Sequence, residues 1–188
     1  MIARSISQMP VLLLTLLLAA CGGEHEPLPV VDRVDLQRYT GTWHEIARLP
    51  QWFQRGCYNS TATYSLNDDG SLKVVNRCQR EDGTSSAEGV AKVAKGSNNA
   101  KLKVRFKNWF SNLFPTIARG DYWILHLDDD YEVVMIGEPE REYLWIHART
   151  PTLKDEHYRK LVDKAARLGF PVENLKRNRN LVPDHAGP

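Results

Sequence analysis

The chain has 188 residues, 42% of them hydrophobic and 26% charged, which suits one packed domain and excludes both a large multidomain enzyme and wholesale disorder. Twenty-five Lys and Arg stand against 23 Asp and Glu, for a net charge of +2. With no field of one sign and no long basic block, nucleic acid is not an expected partner.

At the N-terminus, Arg4 precedes the apolar run Val11–Leu18. That run is too short to span a bilayer and suits the hydrophobic part of a secretory signal, so residues 1–20 are read as a signal peptide. It ends in Leu18-Ala19-Ala20-Cys21, which resembles a bacterial lipobox. The resemblance implies that Cys21 becomes the acylated first residue; cleavage by an ordinary signal peptidase, leaving a free or disulfide-bonded thiol, is the alternative. Gly22 follows where an Asp would favour inner-membrane retention, so the outer membrane of a Gram-negative bacterium, on its periplasmic face, is implied. Cys57 and Cys78 then remain as an even pair in an exported chain, and a disulfide is the default. Residues 21–31, with two Gly, two Pro and no periodicity, read as a lipidated tether.

From Thr42 to Arg149 short β-prone runs alternate with turn residues, at the spacing of a sandwich or a barrel. Asn67–Gly70, Lys95–Asn99, Asp128–Asp130 and Glu138–Glu140 each read as a hairpin turn. In Lys101–Lys107, Leu102, Val104 and Phe106 share one face and four cations the other, so one side is wet. Strand alternation continues through Tyr58–Leu66. The later runs Tyr122–Leu127, Val133–Ile136 and Tyr143–His147 carry large apolar groups on both faces, so their outside must be covered. A helix after Arg149 is the candidate cover. Thr152 and Asp155 resemble a capping box, Tyr158, Leu161, Val162, Ala165 and Leu168 form one stripe, and Gly169 stops the helix.

The stretch Asp35–Arg48, built on Gly41-Thr42-Trp43, resembles the lipocalin signature. Asp130-Tyr131 answers to a family turn, with Asp129 where the family has Thr, and Arg149 follows the strand ending at Ala148. The likeness covers about residues 32–180 and is similar to the bacterial subgroup, outer-membrane lipoproteins similar to apolipoprotein D. It implies an all-β, eight-stranded antiparallel up-and-down β-barrel with one C-terminal α-helix packed outside, and leaves 181–188 as a tail. It also implies structural roles for Gly41, Trp43, Asp130, Tyr131 and Arg149, with Trp43 plugging the closed end under the Arg149 guanidinium.

Alternation within such a barrel turns Glu45, Ala47, Ser60, Ala62, Tyr64, Val74, Asn76, Ala91, Val104, Phe106, Tyr122, Ile124, His126, Met135, Tyr143, Trp145 and His147 inward as candidate ligand-binding residues. Apolar walls with a few polar groups suit a fatty acid, a lysophospholipid or a similar lipid. Glu45, His126 and His147 either satisfy one another or orient a head group. At the opposite end from Trp43, the mouth gathers Trp52, Phe53, Trp109, Phe110 and Phe114, for a ligand gate or membrane contact, or else for a self-packed lid or a homodimer contact. The reading is a non-enzymatic carrier for lipid storage, transport or envelope maintenance under stress, with membrane attachment through Cys21. No cofactor or metal motif is present. The rival readings are a lipocalin-fold enzyme using a lone reactive Cys57 or Cys78, and a structural lipoprotein with a filled barrel.

Overall fold

The computed structural model describes residues 26–107 and 119–178. Residues 1–20, Cys21, Trp109, Phe110, Phe114 and the 181–188 tail lie outside the described residues. A one-turn helix α1 (Leu36–Tyr39) leads into β1 (Gly41–Arg48), β2 (Tyr58–Leu66), β3 (Leu72–Arg80), β4 (Gly83–Val93), β5 (Lys101–Phe106), β6 (Arg119–Leu127), β7 (Val133–Gly137) and β8 (Leu144–Ala148). The helix α2 (Asp155–Arg167) and a two-residue strand β9 (Lys176–Arg177) follow.

All pairings are antiparallel, β1 to β8 pair in sequence order, and β1 pairs with both β2 and β8, so eight strands close into a barrel. Closure removes the free edges that an open sheet would present. The β1 strand divides its length. Gly41–His44 pair with β2, while Ala47 and Arg48 take β9 as a neighbour.

Two apolar clusters result. One fills the closed-end half of the barrel around Trp43, Leu72, Leu102 and Val134. The other lies outside, where Leu125, Met135, Leu144 and Ile146 meet Leu161, Ala165 and Phe170. This outer cluster covers the second apolar face of the late strands. Gly137 permits the contact, because a Cβ there would stand 2.6 Å from the Phe170 ring.

Local sequence decides the ends of these elements. The Asp35 carboxylate caps α1 by accepting from the Gln37 and Arg38 N–H groups. The expected capping box is not formed. Helix α2 begins at Asp155 with Lys154 as its N-cap, and the Asp155 carboxylate instead meets Arg177 of β9 at 2.7 Å. Gly169, at φ +85°, ends the helix as expected.

The segment read as a tether is partly folded. Leu28 is buried in the outer cluster, the Val31 N–H donates to Ile124 O, and the Val34 N–H donates to Asn98 O. Burying Leu28 compensates for ordering this strap, which composition alone did not reveal.

The closed end is tied through Arg149. Its guanidinium lies 3.9 Å from the Trp43 ring centroid and donates to the carbonyls of Arg38, Thr42 and Tyr131. The Trp43 indole N–H donates to Tyr39 O, and the Tyr131 hydroxyl accepts from the Asp35 N–H. A Cβ on Gly41, which sits at φ +96°, would come within 3.1 Å of Arg149 Nη1. In the β6–β7 turn, the carboxylate that accepts backbone N–H groups, from Glu132 and Val133, is that of Asp128. Asp130 is exposed beside it.

Candidate binding cavity

The connections β1–β2, β3–β4 and β7–β8 lie at one end, opposite Trp43, where β5 also ends and β6 begins. Register carries the inward face around the barrel without a break: Ala62 opposes Asn76, Val74 opposes Gly89, Ala91 opposes Val104, and Ile136 opposes both Ile124 and Trp145. Glu45, Ser60, Tyr64, Phe106, Tyr122 and His147 share that face, and Tyr143 stacks on Trp145 just beyond the strand.

Three residues expected inside are found outside. A bulge in β1 between Glu45 and Ala47 turns Ala47 toward the outer cluster and brings Arg48 inward. A second bulge, between Ile124 and His126, puts His126 opposite Met135 on the helix side. Met135 belongs to the outer cluster, and Val134 and Ile136 face in. Both faces of β7 are apolar, so its alternation carries no phase.

The interior changes from one end to the other. Near Trp43 the side chains of Leu72, Leu102 and Val134 are fully buried. Toward the mouth Asn76, Phe106 and Trp145 point inward by register and keep partial exposure, with Phe106 and Trp145 packed against the inner cluster. Ala62 and Ala91, 4% and 1% exposed, sit in the packed part.

Besides Ser60, Asn76 and His147, two hydrogen-bonded polar clusters interrupt the apolar wall. Low down, the Tyr122 hydroxyl is 2.6 Å from that of Tyr39 and 2.9 Å from that of Tyr64. Burial pushes the Tyr64 phenol up to about 12, and those of Tyr39 and Tyr122 well above their ordinary value, so all three stay protonated. Nearer the mouth, Arg48 and Glu45 form a buried ion pair. Arg48 also donates to the carbonyls of Gln54 and Cys57, Gln54 Nε2 donates to Glu45, and the Trp145 indole N–H donates to Gln54 Oε1.

Burial raises the Glu45 pKa, while Arg48 and the bonds from Gln54 and Arg48 pull it down. Burial, with His44 nearby, drives His147 down to about 3, so it is neutral at physiological pH. The cluster is charge-balanced, with a neutral imidazole beside it. Sequence reasoning missed Arg48, because one inserted residue reverses its face.

Cys57 and Cys78 form a disulfide. The β2–β3 register shifts between Tyr58 and Thr61, with Asn59 at φ +48°, which brings together two residues that strict alternation would place on opposite faces. The bridge removes the thiol that the enzymatic reading requires. At the rim, Trp52 and Phe53 are 57% and 42% exposed, with Phe53 5.9 Å from the Tyr143 ring. A separate shallow groove of about 600 Å³ lies at the other end of the barrel, between α1 and the β2–β3 turn.

A family model for a lipocalin-like domain matches residues 34–180. The chain belongs to the lipocalin family. It is 39% identical over 157 residues to temperature-induced lipocalin-1 of Arabidopsis thaliana, covering 82% of this chain and 83% of that protein. It is also 39% identical over 163 residues to the outer membrane lipoprotein Blc of Escherichia coli (strain K12), covering 85% and 88% respectively. Among solved structures, insecticyanin from the tobacco hornworm Manduca sexta matches with a TM-score of 0.60 at 18% identity, over 81% of this chain and 84% of that one. This last likeness concerns the fold. Family membership supports the binding of small hydrophobic ligands in the barrel.

Proposed function

We propose that this lipocalin is anchored through an acylated Cys21 to the outer membrane, facing the periplasm. There it sequesters a fatty acid, a lysophospholipid or a similar lipid for storage, transport or envelope maintenance. The partial exposure of Asn76, Phe106 and Trp145 on the inner wall, above a packed apolar floor, is the observation that supports the reading most strongly. An acyl chain entering that space gains about 0.8 kcal/mol per buried methylene, and the Glu45–Arg48–Gln54 cluster offers both donors and acceptors to a head group. Similarity to an outer membrane lipoprotein supports the anchor.

The test is native mass spectrometry of the protein purified from its own envelope, together with displacement of a fluorescent fatty acid. A bound single-chain lipid is expected. Asn76→Trp, in the hollow, should abolish displacement and leave folding intact, whereas Ala91→Trp, in the packed part, should cost about 1–3 kcal/mol of stability by overpacking. A lipid-free protein whose Asn76→Trp variant binds the probe as well as the parent would overturn the reading.

A further inference from the structure

The route by which the chain leaves the barrel determines where an anchor on Cys21 is held. The strap before β1 runs from the closed end, where Val34 belongs to the inner cluster, to the outer cluster at Leu28. Val34 is bonded to Asn98 in the β4–β5 turn at the closed end, and Val31 to Ile124 halfway along β6. Glu26 is at the other end, where its carbonyl accepts from Arg141 Nη2 in the β7–β8 connection, and Arg141 Nε also donates to Leu168 O. The fold therefore hands the chain over at the mouth. Cys21 stands five residues before Glu26, a reach of at most about 18 Å, whereas β1 alone, with eight residues, is about 26 Å long. An acylated Cys21 within that reach of Glu26 would be held nearer the mouth than the closed end.

The same end carries Trp52 and Phe53, with ring centroids 5.8 Å apart, held by a bond from Arg80 Nη2 to Phe53 O. They are two of the three large hydrophobic side chains exposed among the described residues; the third, Leu66, is at the closed end. Around them the rim mixes Glu81, Asp82, Glu140 and Glu142 with Arg55 and Lys107, all exposed. These four acids outnumber the two bases, so the described rim offers a membrane no cationic patch, and attraction must come from apolar burial.

We propose that the mouth of the barrel faces the bilayer that holds the anchor, with Trp52 and Phe53 entering its surface, so that the cavity opens onto lipid. The proposal rests on the acylation of Cys21.

The test uses the lipidated full-length protein, loaded with palmitate and reconstituted into phosphatidylethanolamine vesicles containing brominated phosphatidylcholine. Flotation with the vesicles, lost in Cys21→Ser, checks the anchor. Bromine should quench part of the tryptophan emission, and Trp52→Phe should remove the quenched part. Partition of unanchored Cys21→Ser into plain vesicles should fall about tenfold or more on adding Trp52→Ala and Phe53→Ala, the effect of losing burial of a large apolar side chain. If the protein floats but Trp52→Phe leaves the quenching unchanged, the orientation is wrong and the anchor stands. Loss of quenching in Trp123→Phe instead would mean a barrel lying on its side, because Trp123 is on the outer face of β6 under Lys101. A lipidated protein that does not float removes the anchor and this proposal with it.

Discussion

The Glu45–Arg48 pair allows a quantitative test of the interior. Glu45 and Arg48 are 3% and 8% exposed, so water solvates either charge poorly once its partner is gone. Glu45→Gln removes the carboxylate that neutralises the Arg48 guanidinium and leaves it only uncharged oxygens, among them the carbonyls of Gln54 and Cys57. Breaking a buried pair from one side costs about 3–5 kcal/mol; at about 2–4 °C per kcal/mol for a domain of this size, melting should fall by about 6–20 °C. Arg48→Met strands the carboxylate, which can take up a proton. Its pKa in the folded protein, already raised by burial, then rises further above its unfolded value. Such a group stays protonated at low pH and opposes folding as pH climbs from the ordinary carboxylate range toward the folded pKa, by about 1.4 kcal/mol per unit. Arg48→Met should therefore cost more at pH 7 than at pH 5. The double variant, with no buried charge, should cost less than the sum of the singles by about 1–3 kcal/mol. Urea unfolding of all four proteins at both pH values measures this. Singles costing under about 1 kcal/mol each and adding in the double would mean that water reaches the pair, as at a surface ion pair.

His147, held down to about 3 by burial, binds a proton in the unfolded chain below its ordinary value of 6.5 but not in the folded one. Its contribution to stability is complete above pH 6.5 and declines by about 1.4 kcal/mol per unit as pH falls toward 3. His147→Leu should flatten that part of the stability–pH curve in urea titrations at pH 7, 6 and 5; an unchanged slope would contradict the burial. Reducing the Cys57–Cys78 bridge, which spans a sequence separation of 21, should lower stability by about 3 kcal/mol in the chain-entropy model, read as a drop in melting temperature, while a thiol count on the unreduced, denatured protein should find neither Cys57 nor Cys78 free. Gly41→Ala should destabilise by about 1–2 kcal/mol, since φ +96° is costly for a residue with a Cβ and Arg149 crowds the position; a melting temperature equal to the parent's would mean that the crossing under Trp43 is less constrained than it stands.

The β-rich body, its single covering helix and the cysteine pair were legible in the sequence because each leaves a local trace: alternation with period two, a stripe with period 3.6, turn residues between them, and an even pair of cysteines; that the strands close into a barrel with Arg149 on Trp43 followed from the resemblance carried by Asp35–Arg48, Asp130-Tyr131 and Arg149. Most of the inward face was legible for the same reason. Alternation is a relative signal, however, and an inserted residue reverses it without any mark in composition. The β1 bulge exchanged Ala47 for Arg48 and the β6 bulge turned His126 outward. In β7, with apolar residues on both faces, only pairing to β6 and β8 selected Val134 and Ile136 over Met135. The bond from the Trp145 indole to Gln54 beside the Glu45–Arg48 pair, the tyrosine hydroxyls joined from α1, β2 and β6, and the strap that delivers Glu26 to the mouth all depend on residues far apart in the chain. Only closure of the barrel brings those residues to hydrogen-bonding distance, where the cost of leaving a buried polar group unpaired selects the partner.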